Sequence, residues 1–168
     1  DAEPLSVPLA IEPVEAIRSS MRIGHADPNR HLSVTISFPF GDPDGMQRFA
    51  DAVSDPNSPT YGQFITPDEV GARFGLPLAR IQAIAEHMKS NGLDITFTAR
   101  HRLAITCEGT LDRFEKAFKT TIDTYAVDVM LAPDALAGGN AEFIAPSAPL
   151  QLPADLAPDV LDVSGLET

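Results

Sequence analysis

The sequence predicts an α+β fold, a two-layer sandwich in which a four-stranded antiparallel sheet carries helices on one face. Three observations predict it. Residues 31–38, 93–99 and 103–108 alternate apolar and polar side chains with a period of two, the mark of half-buried strands. The segments between them repeat apolar residues at intervals of three and four, the mark of amphipathic helices. The resulting order is strand, helices, strand, strand, helix, strand, and one sheet face covered by helices is the most economical way to pack it.

Residues 1–30 contain Pro4, Pro8, Pro13 and Pro28 and little periodicity. They read as an extended, irregular N-terminal arm, with Val14 to Arg22 ordered against the domain. His31 to Phe38 is the first strand, with Leu32, Val34, Ile36 and Phe38 on one face. Pro39 and Gly41 stop it, and Asp42 caps a helix that has Pro43 in its first turn. Met46, Phe49, Ala50 and Val53 give that helix one apolar side.

The stretch from Ser54 to Gly75, SDPNSPTYGQFITPDEVGARFG, is punctuated at Pro56, Pro59 and Pro67, so no single helix or strand runs through it. Tyr61-Gly62 predicts a tight turn. Thr66 and Glu69 form a capping box around Pro67, and Val70 and Phe74 share a face of the short helix that follows. Pro77 opens a longer helix with the stripe Leu78, Ile81, Ile84, Ala85 and Met88, which Asn91-Gly92 ends.

Leu93, Ile95 and Phe97 then point inward and Asp94, Thr96 and Thr98 outward. Arg100-His101-Arg102 turns the chain into a second strand with Leu103, Ile105 and Cys107 inward and Thr106 and Glu108 outward. Thr110 caps a helix bearing Leu111, Phe114, Ala117 and Phe118, and Thr121 to Val127 is the last strand. This order is ferredoxin-like. A loop-rich C-terminal segment follows, marked by Pro133, Gly138-Gly139, Pro146 and Pro149. A short helix with Leu156, Val160 and Val163 on its apolar side closes the chain near Gly165-Leu166, unless Pro158 interrupts it. The organisation is therefore an arm over 1–30, a core over 31–127 and a C-terminal segment over 128–168.

With 168 residues, 43% of them hydrophobic, the chain is long and apolar enough to fold around one core. Its formal net charge of -12 argues against nucleic acid and against anionic membrane surfaces. Residues 128–168 hold seven acids and no Lys or Arg. A solvated tail and an acid-sensitive element both fit that imbalance. Cys107 is the sole cysteine, which excludes an internal disulfide and CxxC chemistry. No run of about 18 apolar residues is present to span a bilayer. The chain starts at Asp1 without Met or an apolar leader, as expected if a signal was removed or the sequence trimmed.

The catalytic inventory is thin. His25, His31, His87 and His101 show no metal-ligand spacing. No GxGxxG or phosphate-loop pattern occurs. Cys107 reads as a small buried hydrophobe rather than a nucleophile. No metal site and no catalytic residue is expected.

The outward face of the sheet would carry Ser33, Thr35, Ser37, Asp94, Thr96, Thr98, Thr106 and Glu108. Two readings of it are open. It is a solvated face, common in two-layer folds, or it is a docking face whose hydroxyls and carboxylates meet helix N-termini or donors on a partner. An RNA-recognition module would use this topology but needs exposed aromatics and positive charge. An acylphosphatase would share it too, and Arg100 and Arg102 are present, but no phosphate-cradling loop accompanies them.

One motif is more specific. Asp55, Pro56, Ser58, Pro59, Tyr61 and Gly62, followed by Thr66, Pro67, Glu69 and then Phe74-Gly75, resemble the activation prodomain of sedolisin (kumamolisin-type) serine-carboxyl peptidases. The resemblance runs over about Leu32 to Leu166. It implies the same ferredoxin-like fold and a propeptide that acts as intramolecular chaperone and inhibitor, with its sheet docked on the mature enzyme. It implies that Asp159, Val160, Asp162, Val163, Gly165 and Leu166 belong to a segment leading into or across the substrate cleft. Peptidases of this family use a Ser-Glu-Asp triad with an SGTS-like motif. No SGTS motif occurs here, so the catalytic residues would lie beyond Thr168. The partner implied is the cognate sedolisin-like catalytic domain, in a secreted or periplasmic zymogen, with release at acid pH. The isolated chain is expected to be a monomer. The family's mature domain typically binds calcium, and this chain is expected to need no cofactor.

Overall fold

Alternation predicts which side of each strand is buried, and the core follows it. The computed structural model describes residues 4–12, 17–18, 20–127 and 142–168. Among these residues, nine strands and four α-helices succeed one another. Strands β1 (Ser6–Pro8), β2 (Ser20–His25) and β3 (His31–Ser37) come first, then helices α1 (Pro43–Ser54), α2 (Pro67–Phe74) and α3 (Leu78–Ser90). The hairpin β4 (Asp94–Thr98) and β5 (Ala104–Thr110) leads to α4 (Leu111–Phe118) and β6 (Ile122–Val127). Strands β7 (Glu142–Pro146), β8 (Gln151–Pro153) and β9 (Asp162–Ser164) complete it, with a 3-10 turn at Ala157–Asp159.

The main sheet has four strands in the order β4-β5-β3-β9, every pair antiparallel. Leu32, Val34 and Ile36 from β3 meet Ile105 and Cys107 from β5, with Val163 from β9, in one buried cluster. Ile81, Ile84 and Met88 of α3 and Leu111, Phe114, Ala117 and Phe118 of α4 close over them. The fold is therefore α+β and ferredoxin-like, with α3 and α4 on one face of the sheet. At about 25 cal/mol per Å² of apolar surface, this burial is the dominant favourable contribution to folding.

The fourth strand is not the one the sequence pattern predicts. Residues 122–127 leave the main sheet and lie between β2 and β7 in a three-stranded sheet. Their place beside β3 is taken by β9, only three residues long. A strand this short shows no alternation to read, so sequence pattern passes over it.

The C-terminal helix expected through Leu156, Val160 and Val163 is also absent. Pro158 sits in a 3-10 turn, and the chain then runs extended into β9. Proline has no N–H for a helix to continue through. Leu156 and Val163 are buried nonetheless.

The arm is less irregular than its composition suggests. Ser6–Pro8 pairs with Gln151–Pro153, and Ser20–His25 pairs with β6. Both are edge strands, where proline is tolerated. Of the expected ordered stretch Val14 to Arg22, residues 14–16 and 19 lie outside the described residues, as do Pro133 and Gly138-Gly139.

The starts of α1 and α2 follow sequence expectation, whereas Thr110, expected to cap α4, makes no side-chain capping bond and donates its hydroxyl to Asp112 Oδ1 instead. Asp42 accepts a hydrogen bond from the Gly45 N–H at 2.9 Å. The Glu69 N–H donates to Thr66 Oγ1 at 3.3 Å and the Thr66 N–H to Glu69 Oε2 at 2.8 Å, which completes the capping box. Gly62 has φ +72° in the predicted turn. The Phe49 and Phe74 rings lie 5.6 Å apart and join α1 to α2. Arg100 pairs with Asp68, which ties α2 to the β4–β5 turn. Leu78, assigned to the α3 stripe from sequence, is 51% exposed, because at the first helical position it lies beyond the packed turns.

Candidate functional site: the open face of the sheet

The face opposite α3 and α4 is built row by row from the strand register. Residues directly opposed across an antiparallel pair share a face. Asp94, Glu108 and Ser33 form one row. Thr106, Thr35 and Ser164 form the next, and Ala104, Ser37 and Asp162 the last. The Thr35 and Thr106 hydroxyls lie 3.2 Å apart, and Thr96 Oγ1 donates to Glu108 Oε1 at 3.4 Å. So seven of the eight residues expected on this face are brought together there.

Thr98 is the exception, and a bulge is the reason. Ile95 pairs with Cys107, but the next registered pair is Phe97 with Thr106. One residue of β4 is thus skipped between them, which inverts the alternation beyond it. Thr98 pairs with Ile105 on the helix side, although it stays exposed at the strand end. Phe97, expected inward, lies on the open face and is 57% exposed. Sequence alternation cannot reveal a bulge, because the inserted residue leaves no chemical mark.

Strand β9 adds Asp162 and Ser164 to this face, which joins the C-terminal segment to it. Several contacts fix the segment. The Leu161 N–H donates to Ser37 O at 2.8 Å. Arg80 Nε donates to Asp159 Oδ2 at 2.6 Å, and this contact raises the Arg80 guanidinium above its ordinary value. Gly165 has φ +103°, and a Cβ there would stand 2.4 Å from Ser33 O, so this crossing requires glycine. The Ile144 N–H donates to Thr168 O at 2.9 Å. Asp159, Val163 and Leu166 are buried, Val160 and Gly165 half-buried, and Asp162 exposed. Burial, and then the nearby Asp162 charge, raises the Glu167 carboxyl above its ordinary range.

The face has a one-sided charge. Strands β3, β4, β5 and β9 carry Asp94, Glu108 and Asp162 and no Lys or Arg. It offers a phosphate backbone no cation. Among the described residues no group of three or more His, Cys, Asp or Glu is placed to hold a metal. Cys107 is fully buried, and burial pushes its thiol up to about 11, which suits packing rather than nucleophilic attack. His87 Nε2 lies 2.8 Å from Ala117 O and His25 Nε2 2.7 Å from Glu115 Oε1, so each bridges two elements.

The Asp55–Phe74 motif is a set of local bonds. The Ser58 N–H donates to Asp55 O at 2.9 Å, and the Asn57 N–H to Asp55 Oδ1 at 2.9 Å. Gln63 Nε2 donates to Pro59 O at 3.3 Å. The Gly62 N–H reaches back to Val53 O at 2.9 Å. Pro56 and Pro67 carry no N–H to satisfy, and Phe74 is buried. Its spacing is a requirement of turn and cap geometry, and Tyr61 leaves its side chain 56% exposed.

Comparison with known proteins gives a consistent picture. Residues 18–168 match the family described as the pro-kumamolisin activation domain. Xanthomonalisin of Xanthomonas sp. (strain T-22) is 29% identical over 136 residues, which cover 81% of this chain and 15% of that protein. Sedolisin of Pseudomonas sp. (strain 101) is 27% identical over 134 residues, 80% of this chain and 21% of its own length. Tripeptidyl-peptidase 1 of Macaca fascicularis is 30% identical over 150 residues, 86% of this chain and 24% of its own. The chain thus spans less than a quarter of the length of these relatives.

Proposed function

The chain belongs to the pro-kumamolisin activation-domain family, and from that premise we propose that it is the pro-region of a sedolisin-like serine-carboxyl peptidase, serving as its folding template and its inhibitor until acid releases it. The observation that carries this reading is the match of residues 18–168 to an activation domain, within relatives several times longer than the chain. An activation domain is not the catalytic one, so chemistry belongs to the partner.

The partner in this reading is the cognate catalytic domain, in a secreted or periplasmic zymogen. No described helix is long and apolar enough to cross a membrane. The helix-covered sheet supplies a preformed surface on which the peptidase condenses, with Ser33, Thr35, Ser37, Asp94, Thr96, Thr106 and Glu108 facing it. The C-terminal segment acts from the sheet's β9 edge. Leu161, Asp162 and Ser164 are exposed on it, while Asp159, Val163 and Leu166 anchor it. A peptide held extended meets a protease cleft through main-chain pairing and pocket filling, and occupancy alone inhibits.

Acid release follows from linkage. A carboxylate that gains donors in the complex has its pKa depressed there. Its contribution to binding is full above its free value and is lost as pH falls through the depressed one. The test is inhibition of the cognate mature peptidase by this chain added in trans, at pH 7 and pH 4. Inhibition that is tight at pH 7 and fades at pH 4 is expected. Equal inhibition at both values would reject the acid switch, and none at either would reject the inhibitor.

A further inference from the structure

We propose that Phe97 is the apolar anchor through which the open face seats on the catalytic domain of the same peptidase, with Asp94, Glu108 and Asp162 as an acidic rim that selects a donor-rich surface. This rests on the function proposed above and assigns a residue to it.

The bulge in β4 is the first observation. With regular alternation, Phe97 would follow Ile95 to the helix side, where the core would bury it. The skipped residue turns it out beside Thr106 instead, 57% exposed on the outermost strand. Bulges re-aim side chains in this way, at the cost of a disrupted ladder. A phenyl ring left in water forgoes the gain its burial would bring, and a partner seated on this face would recover that gain.

The surroundings say what kind of partner covers it. The row running from Phe97 through Thr106 and Thr35 to Ser164 is uncharged. Asp94 and Glu108 lie one row to one side, and Asp162 one row to the other. An exposed aromatic flanked by polar and charged side chains is a common feature of protein-binding patches; here Phe97 stands at the β4 edge, beside Asp94 and Glu108, with Asp162 at the far β9 edge. With no Lys or Arg on the four strands, complementarity demands N–H donors or cations opposite the rim and an apolar recess opposite the ring. The chain corresponds to 15–24% of its matched relatives, so the remainder of such a peptidase is the partner at hand. β9 lies in the same sheet, and the segment expected to reach the cleft thus leaves from the edge of this face.

The test titrates the catalytic domain with the wild-type chain and with Phe97→Ala, Phe97→Thr and Met21→Ala, at neutral pH. Met21 is 70% exposed on β2 in another sheet and controls for loss of any exposed apolar group. Thermal melts check that each variant is folded, and Thr keeps strand propensity if Ala loosens β4. The expected result is at least a tenfold weaker inhibition for both Phe97 variants, with Met21→Ala within about twofold of wild type. Unchanged inhibition by Phe97→Thr overturns the anchor while leaving the prodomain function intact. Absence of inhibition by the wild type overturns that function and the anchor with it. Self-association that is abolished by Phe97→Ala, with inhibition unchanged, would assign the face to a second copy of the chain and also overturn the proposal.

Discussion

Asp123 is one of two buried charged residues among those described. It accepts from Arg22 Nε at 2.6 Å and Nη2 at 3.0 Å, a two-pronged contact that ties β2 to β6. That contact holds the Asp123 carboxyl below its ordinary value of 3.8, with a hydrogen bond from Ser147 and the charge of His25 acting the same way. A depressed folded value contributes stability above the unfolded value and loses it as pH falls through the folded one. Asp123→Asn should therefore cost about 1–2 kcal/mol at pH 7, the range of a charge-assisted bond reduced by the half-exposed Arg22. Urea unfolding of both proteins should converge as pH drops below about 4. A difference that stayed constant to pH 2 would show that the charge is not what matters. Gly165 makes the opposite kind of demand, on space rather than charge, where β9 crosses Ser33.

At the scale of elements, β9 carries more than its three residues suggest. It fills the fourth place in the sheet, puts Val163 into the core and lets Leu166 follow at 1% exposure. Leu166→Ala should destabilise the domain by about 2–5 kcal/mol, as buried leucine truncations do, measured by urea unfolding. A loss under about 0.5 kcal/mol would mean that the C-terminal segment is merely apposed. By contrast, the start of α2 is held by its own cap. Thr66 lowers the Glu69 carboxyl below its ordinary range through its backbone N–H and then its hydroxyl, so this cap weakens in acid, as the Arg22–Asp123 contact does.

For the whole molecule, the net charge of -12 is a long-range property, and it concerns encounter more than fold. If the acidic open face meets a donor-rich catalytic domain, association should slow as salt rises. Raising ionic strength from about 0.05 to about 0.5 M shortens the screening length to about 4 Å. The association rate, read by stopped-flow inhibition, should fall about tenfold. A rate independent of salt would mean that apolar contacts alone guide docking. Acid acts on the same charges, so the pH and salt dependences should point the same way.

The sequence by itself determined the elements that depend on neighbours in the chain. The alternation of His31–Ser37, the Asp42 and Thr66 caps, the Gly62 turn and the apolar stripes of α3 and α4 follow from local sterics and period, and they stand as read except for Leu78 at the start of α3. The same local code carries the Asp55–Phe74 motif, which is why a family resemblance was legible there. Only the tertiary structure decided which strand completes the main sheet, that the arm pairs with β6 and β8, and which way Phe97 faces. Those choices rest on registry between segments far apart in sequence. A three-residue strand, an edge strand rich in proline and a bulge have no periodic signature; each is fixed by the hydrogen bonds and core space that its partners leave open.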